Sequence, residues 1–521
     1  MSTLAYSPGS ERLISSAADT RPFGRNSPHQ SRVYLMYWPF LLMASALFIA
    51  LVPTNTTFVF GAFVGGLAGL YLVMDLVFNE PPLRISSLLA MSLLVAYNLG
   101  ALNSWLAVPR GGLSISEYFA RDPAILANGI AACLGVGAAL LFAGQLWERP
   151  IFGRDFCLTF GSRSLLMILL STALILAALA TGQVGYMGLT ADVYGHVSAF
   201  ASIVAWWLAP SLAYSVCAAL NTQGLTRLVV GLCAIIQTAA IVPTGRRNFA
   251  FALLLSVIAS RLGRFRLRLS VIGKFFLLVS AAVLIVIASL AFFYLRFAGW
   301  EHKEATTLGA RVKAATDLAQ TRSLSDMTEV LQSNTSSRTF IVAFFSDLLD
   351  ASQKSTPLLG SDLMSNLRMA VPSAISADKL GPNSYGEEQQ ANMQWGFSYI
   401  DEANSIITAG AADFGLIGVF VYPFLVVLIL RSALEWIQFS MPTYVATMIA
   451  LAYIFQMLLA ESLPVDYLIQ IRNTIILAAI FYILAALPKF RLSTRAKAYD
   501  RWPESYRADV PGAQRKEPYS P

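Results

Sequence analysis

Charged residues are scarce in this chain of 521 residues, where they make up 13% against 56% for hydrophobic residues. An ordinary soluble domain has roughly 25% charged residues, so the composition excludes a soluble globular protein. It also excludes a disordered chain, which needs low hydrophobicity, and a disulfide scaffold, which needs many more than 4 cysteines. Only 3 histidines are present, and no His, Cys and carboxylate cluster has metal-ligand spacing. We therefore expect no metal and no other cofactor.

Long apolar runs are what the chain has instead. Twelve of them reach or approach the ~17 to 25 residues that a helix needs to cross ~30 Å of hydrocarbon. Their approximate bounds are 33–52, 57–78, 85–107, 125–147, 164–183, 198–220, 225–243, 247–262, 271–296, 411–431, 442–461 and 469–488. They predict an all-α polytopic membrane protein with about twelve transmembrane helices.

The distribution of lysine and arginine predicts the orientation. With the N-terminus inside, nineteen of these residues fall in cytoplasmic segments beside the predicted helices, and five fall in short outer loops. Because positive residues accumulate in cytoplasmic loops, both termini are predicted to be cytoplasmic. The first run follows a polar stretch of 32 residues, and we interpret it as a signal anchor that stays. The net charge of +7 thus reflects topology, and no nucleic-acid partner is expected.

One polar segment, 297–409, separates the ninth run from the tenth and must lie outside. It holds eight Lys or Arg and thirteen Asp or Glu, yet some of its apolar residues recur at the spacing of one helix face. These residues are Phe340, Ile341, Phe344, Phe345, Leu348 and Leu349. We predict a folded, partly helical cap that lies on the membrane. The predicted organisation is a cytoplasmic tail (1–32), nine transmembrane helices (33–296), the large outer loop (297–409), three transmembrane helices (410–488) and a second cytoplasmic tail (489–521).

Ionisable side chains are rare inside the apolar runs. Asp75 lies near one end of its run, and Asp413, Glu461 and Arg472 lie at outer boundaries. An intramembrane charge costs ~2.5 to 3.5 kcal/mol and is kept only for use, so an ion-coupled carrier would need such groups near the midplane. No internal repeat relates the two halves, which also counts against a two-halves transporter. The pattern favours an enzyme over a carrier.

The clearest candidate binding site is the basic turn Gly245-Arg246-Arg247, which lies on the predicted outer side. Two adjacent arginines oppose the orientation bias, the glycine lets the backbone approach a ligand, and the following helix start offers free N–H groups. Guanidinium groups bind phosphate in a bidentate way, so this composition is typical of a diphosphate site. The alternative is that both arginines extend to outer headgroups.

Three further arginines, Arg296, Arg338 and Arg472, are predicted at the same outer level. Each alone is more often an interface anchor than a ligand contact. Four separate segments that place arginine at one membrane level nevertheless favour a shared anionic ligand.

The order of these features resembles the Wzy-type O-antigen and exopolysaccharide polymerases of bacterial inner membranes, which have ten to fourteen helices and one large periplasmic loop. Three pieces carry the resemblance, which covers roughly residues 200–480 as an arrangement. They are the Gly245-Arg246-Arg247 turn, the loop segment Ala370-Val371-Pro372-Ser373-Ala374-Ile375 followed by Lys379, and the loop exit 404–418 with its Asp413-Phe414-Gly415-Leu416-Ile417-Gly418.

The resemblance implies an inner-membrane enzyme that joins undecaprenyl-diphosphate-linked oligosaccharide repeat units on the periplasmic side and releases undecaprenyl diphosphate. It implies Arg246 and Arg247 as diphosphate contacts and Arg338 as a loop contact. The expected partners are the lipid-linked glycan, membrane lipids, a chain-length-determining co-polymerase and a flippase.

This chemistry needs positive charge where the leaving diphosphate gathers negative charge, and a base for the incoming hydroxyl. The candidate bases are His302, whose imidazole titrates near neutral pH, and the carboxylates of Glu461, Asp466 and Asp401. A solvated loop histidine is the simpler interpretation of His302. Three other functions remain open: an O-antigen ligase, which shares the layout, a lipid-linked oligosaccharide flippase or other transporter, and a non-enzymatic scaffold.

Overall fold

The part of the chain that the structure describes is mainly helical. The computed structural model describes residues 28–79, 81–107, 121–152, 156–180, 199–244, 246–263, 271–301, 308–322, 325–326, 340–371, 386–399 and 404–486. No residue in these ranges lies in a β-strand. The predicted all-helical class is confirmed.

The helices follow the predicted order. Before the polar loop come α1 (Pro28–Leu51), α2 (Asn55–Phe78), α3 (Ile85–Leu93, continued by a π-helical turn Leu94–Leu99 and by Gly100–Ala107), α4 (Pro123–Leu146), α5 (Ser162–Ala180), α6 (Ala199–Asn221), α7 (Gly224–Ile241), α8 (Arg246–Ser260) and α9 (Val271–Glu301). In the loop lie α10 (Leu308–Thr321), α11 (Phe340–Lys354), α12 (Ser361–Ala370) and α13 (Glu387–Trp395). After it come α14 (Ile406–Ser440), α15 (Thr443–Leu458) and α16 (Pro464–Ala486). Each of the twelve predicted runs overlaps a helix.

Among the described residues, six helices are long and apolar enough to cross a membrane. They are Asn55–Phe78, Ile85–Leu106, Pro123–Leu146, Ser162–Ala180, Gly224–Ile241 and Ile406–Ser440. Shorter apolar helices accompany them at Tyr37–Leu51, Asn248–Ser260, Val279–Leu295 and Thr443–Leu458. The fold is therefore that of a helical membrane protein, and a total of twelve transmembrane helices stays a prediction.

Helix α15 forms the centre of the bundle. Every residue from Val445 to Leu458 is buried, and the helix packs against α3, α6, α8, α14 and α16. A helix that is apolar on all sides can bury its whole surface only when other helices surround it. The outward faces of α2, α7 and α9 expose large apolar side chains, as lipid-facing helices do.

Helix α11 of the loop belongs to this core. The sequence predicts a cap resting on the membrane, but α11 packs against both α4 and α14. The rings of Tyr97 and Phe345 lie 5.5 Å apart, and Ser346 fills the space beside Gly129, two turns into α4. All residues from Ile341 to Leu349 are buried. The apolar face of α11 is wide enough to be enclosed between α4 and α14. This position in the core differs from the predicted cap on the membrane surface.

Arg121 fastens α11 to the start of α4. Its Nε donates to both carboxyl oxygens of Asp347, at 3.0 and 2.7 Å, and its Nη2 donates to the Tyr399 hydroxyl at 2.6 Å. The Tyr399 hydroxyl in turn donates to Asp347. We call these three residues the Arg121 clasp. Because Asp347 is only 9% exposed, its charge depends on this arginine.

We expect Arg121→Ala to loosen α11. The substitution leaves the buried Asp347 without its cation and should lower the free energy of unfolding by about 2 kcal/mol. Hydrogen exchange of the α11 amides should become faster. Lys354→Ala is the matched control, because Lys354 pairs with Asp350 on the exposed face of the same helix and contributes little. Equal exchange rates in the two variants would contradict the clasp.

Helix α14 reverses direction near its start. The prediction places an apolar run at 411–431, but the helix begins at Ile406 and leaves helical geometry at Phe414 (φ −139°, ψ 18°) and Gly415 (φ 60°, ψ −142°). A Cβ on Gly410 would lie 2.3 Å from the Gly418 carbonyl oxygen. Residues eight apart in a straight helix are ~12 Å apart, so the chain must fold back here. We call residues 406–418 the α14 hairpin; the left-handed φ at its turn favours glycine.

Candidate functional site

Asp413 closes the α14 hairpin onto the loop. Its carboxyl oxygens accept the backbone N–H groups of Asp362 and Leu363, at 3.0 and 2.9 Å, and the Tyr422 hydroxyl at 2.6 Å. The side chain is completely buried. The first N–H groups of a helix have no partner within it, and a carboxylate there also meets the positive end of the helix dipole. Asp413 therefore holds the start of α12.

Two more carboxyl groups are buried beside it. Asp362 is 1% exposed and Glu387 is 2% exposed, and we call Asp362, Glu387 and Asp413 the carboxyl cluster. Asn366 donates to Asp362 at 2.9 Å, but neither carboxyl oxygen of Glu387 has a hydrogen-bond partner among the described residues. No lysine, arginine or histidine of the described ranges forms an ion pair with the cluster. Within the described ranges, three buried acids thus share a site without a compensating cation.

Burial governs the protonation of this cluster. Burial and then the charge of Asp413 raise the pKa of Asp362 to about 7, against a smaller lowering by the bond from Asn366. Burial and then the charge of Asp362 raise the pKa of Glu387 well above its usual range. A carboxyl group in an apolar site keeps its proton because the charged form loses its hydration. Glu387 therefore keeps its proton to a higher pH than an exposed glutamate does.

A pair of buried hydroxyl groups connects the start of α14 to α3. The Tyr97 hydroxyl lies 2.6 Å from the Ser405 hydroxyl, and Ser405 caps α14 through the Thr408 N–H at 3.3 Å. Tyr97 lies in the π-helical turn of α3, a type of helix distortion that is frequent at functional sites. Glu461 is half-buried between α15 and α16, within electrostatic range of this tyrosine.

Arg472, one of the predicted ligand contacts, lies on α16 beside the end of α12. Its Nη1 donates to the Ala370 carbonyl oxygen at 2.9 Å, and its Nε and Nη2 donate to Asn473 Oδ1 at 3.3 and 3.2 Å. A guanidinium has five N–H groups, so two of them have no partner among the described residues. Within the described ranges Arg472 forms no ion pair, and it is half-buried. Ala370 is also the first residue of the loop segment that carries the family resemblance.

Asp466, a predicted base, has a structural role. Its Oδ2 accepts the Leu463 N–H at 2.8 Å, three residues back, as in a capping box at the start of α16. Of the four predicted bases, Glu461 is the other one that the structure describes, and its side chain is half-buried.

The remaining predicted site residues stay untested. Gly245, His302, Arg338 and Asp401 lie outside the described residues. Arg246 and Arg247 form the first turn of α8, and Arg296 lies in α9, but their side chains are outside the described part.

The carboxyl cluster was missed at the sequence level. Asp362 and Glu387 each follow a glycine closely, Gly360 and Gly386, at the start of a short polar helix. This is the pattern of exposed acids at a helix N-terminus, and nothing in it shows burial. In the sequence Asp413 stands only as a boundary residue of the tenth run.

Comparison with known proteins adds no assignment, because no family model, no curated protein and no solved structure matches the chain. The likeness to the Wzy-type polymerases stays a prediction.

Proposed function

We propose that the chain is a metal-independent membrane glycosyltransferase that polymerises undecaprenyl-diphosphate-linked oligosaccharide repeat units and releases undecaprenyl diphosphate. The observation that carries the proposal is Arg472, a half-buried guanidinium with two open N–H groups and no acidic partner in the described ranges. An arginine kept unpaired at a protein surface is available for an anion. Its place beside Ala370 joins it to the loop segment of the resemblance.

The proposed reaction needs groups that stabilise the leaving diphosphate and a base for the acceptor hydroxyl. An acceptor hydroxyl oxygen attacks the anomeric carbon of the donor sugar, the bond from that carbon to the diphosphate oxygen breaks, and its electron pair leaves with undecaprenyl diphosphate. Arg472 stabilises the charge that gathers on the leaving diphosphate, together with Arg246, Arg247, Arg296 and Arg338. The hydroxyl proton passes to a base, for which Glu461 is the candidate on the described surface, with His302 and Asp401 as the others.

The proposed enzyme lies in a bacterial inner membrane. The predicted orientation places both termini in the cytoplasm and the loop in the periplasm, so the enzyme works at the outer face of a bacterial inner membrane. The lipid-linked glycan is then delivered by a flippase, and the product length is set by a co-polymerase.

The test is synthesis by the purified protein in lipid discs supplied with lipid-linked repeat units from its own host. The wild type is expected to give a ladder that steps by one repeat unit on a gel. Arg472→Ala should lower the initial rate about 100-fold, as loss of one donor to a developing oxyanion does. Arg368→Ala is the matched control, because Arg368 is exposed on the neighbouring α12.

Equal rates for the Arg472→Ala and Arg368→Ala variants, with equal melting temperatures, would remove Arg472 from the site. A single band from wild-type protein with intact substrate would contradict a polymerase. Transfer of one preformed chain to a lipid acceptor would instead indicate a ligase, and movement of substrate across the bilayer without a new bond would indicate a transporter.

A further inference from the structure

Helix α12 of the polar loop buries polar side chains and exposes apolar ones. Its buried residues are Asp362 and Asn366, and Asn366 connects Asp362 to the Val465 N–H at the start of α16. On the opposite side, Met364 is 52% exposed and Leu367 is 40% exposed. A helix at a water-facing surface has the reverse arrangement, with its apolar stripe toward the core. In a membrane, polar side chains face the protein interior and apolar side chains face lipid.

The exposed side of α12 continues an apolar surface of α14. Phe414, at the turn of the α14 hairpin, is 42% exposed, and its ring lies 3.3 Å from an added Cβ on Gly360. Met364 follows one helical turn later, with its N–H on the Gly360 carbonyl oxygen at 3.0 Å. Further along α14, one face exposes apolar side chains at helical spacing, namely Ile417, Val421, Leu425 and Leu428. Because α14 is long and apolar enough to cross a membrane, this face is the lipid-facing side of the helix.

Two contacts between α14 and α4 show how the two helices are aligned. The ring of Phe420 lies 3.1 Å from an added Cβ on Gly135 of α4. Arg431 donates to the Arg149 carbonyl oxygen, just after α4 ends. The two helices therefore run in the same direction, side by side, and a position on α14 can be compared with its level on α4.

This alignment places the α14 turn at the depth of lipid chains. The turn lies ~9 Å beyond Phe420, and the same rise from Gly135 ends ~9 Å short of the start of α4 at Pro123. The 24 residues of α4 measure ~36 Å, against ~30 Å of hydrocarbon. Even if all of this excess stood on the turn's side of the membrane, the turn would still lie within the hydrocarbon.

We propose that α12 is inserted into the membrane, with its Met364 and Leu367 side against the acyl chains of the leaflet on the predicted outer side. The surface of α14 that ends at Phe414 is continuous with this side, so the same lipid layer covers both. Arg368 is exposed on α12 as well, and it is tolerated there because an arginine side chain is long enough to reach the headgroups. The polar side of α12 keeps its hydrogen bonds within the protein, as a helix in lipid requires.

The test uses single-cysteine variants of the full chain in phosphatidylcholine discs, each labelled with a small fluorophore. The background is Cys157→Ser, because Cys157 is exposed and the other three cysteines are buried. Met364→Cys and Leu367→Cys probe the outward side of α12. Leu232→Cys is the lipid reference, since Leu232 is exposed on the apolar helix α7. Lys354→Cys is the water reference, since the Lys354 side chain is 69% exposed at the end of α11.

Bromine atoms on the lipid chains quench the labels from the lipid side, and iodide in the buffer quenches them from the water side. The labels at Met364 and Leu367 are expected to match the label at Leu232, with strong quenching by brominated lipid and loss of the iodide quenching that the label at Lys354 shows. Iodide quenching equal to that at Lys354 overturns the proposal. Protection from both quenchers also overturns it, because another part of the protein then covers this side of α12.

A second measurement needs no substitution, so it stands even if the cysteine variants do not fold. Hydroxyl radicals generated in the buffer convert water-exposed methionines into sulfoxides, which mass spectrometry locates. Met74 is exposed on α2, a helix long and apolar enough to cross a membrane. In lipid discs Met364 is expected to be oxidised as slowly as Met74. Faster oxidation of Met364 than of Met74 overturns the proposal, because water then reaches this side of α12.

Discussion

Gly410→Ala is expected to prevent the α14 hairpin from closing. The new Cβ would lie 2.3 Å from the Gly418 carbonyl oxygen and 3.0 Å from the Val419 nitrogen. Both are backbone atoms of the returning helix, so no side-chain rotation can relieve the contact. We expect the free energy of unfolding to fall by about 3 kcal/mol, the upper end of typical overpacking effects. Thermal unfolding in detergent micelles, followed by tryptophan fluorescence, measures the change.

Gly231→Ala is the matched control for this substitution. Gly231 also lies within an apolar helix, α7, but apart from the backbone of its own helix no atom of the described residues lies within 4 Å of its added Cβ. Alanine should therefore be neutral there or stabilise the helix by up to about 1 kcal/mol. Gly418→Ala should reproduce the effect of Gly410→Ala, because its Cβ would lie 2.0 Å from the Gly410 carbonyl oxygen. A Gly410→Ala protein as stable as the Gly231→Ala protein would show that the two segments do not touch.

The sequence could predict that α11 is a helix, but it could not predict which helices α11 packs against. Apolar residues such as Phe344 and Leu348 recur at helical spacing, and the helix is present from Phe340 to Lys354. Spacing shows which side of a helix is apolar, but it does not name the partner. The partner is defined by Gly129 on α4 and by the clasp residue Arg121, which is distant in the chain from Asp347. Such contacts depend on the assembled bundle.

The burial of the carboxyl cluster is a second feature that the sequence does not predict. Glu387 stands in the polar run Gly386-Glu387-Glu388-Gln389-Gln390, which any composition rule assigns to solvent. Its burial follows from the α14 hairpin, which carries Asp413 against the loop. The hairpin itself depends on the non-helical backbone of Phe414 and Gly415. The sequence shows only an apolar run of normal length at this place, so it does not predict the turn.

The candidate anion site was partly predictable. The sequence points to Arg472 because it opposes the orientation bias at an outer boundary, and two of its N–H groups have no partner among the described residues. Asp466 was selected by the same argument of position, yet it accepts a backbone N–H of its own helix. Residue type and membrane level are available from sequence, whereas hydrogen-bond partners are not.

The stability of the loop is expected to fall as the pH rises from about 4 to about 7. In the unfolded chain Asp362 releases its proton near pH 3.9. In the folded protein burial and the charge of Asp413 raise its pKa to about 7. Between these two values the folded state binds more protons than the unfolded state, so each step up in pH favours unfolding. The loss should reach about 2 to 4 kcal/mol and be complete above pH 7, where both states are ionised.

Asp362→Asn isolates this effect. The amide keeps an oxygen to accept the bond from Asn366 and cannot ionise, so the difference in unfolding free energy between variant and wild type should grow from pH 4 to pH 7. Asp350→Asn removes an equal charge from the solvent side of α11 and serves as the matched control. Chemical unfolding in detergent at a series of pH values provides both curves. If the Asp362→Asn curve runs parallel to that of the wild type, Asp362 is ionised in the folded protein, and a cation outside the described residues must accompany the cluster.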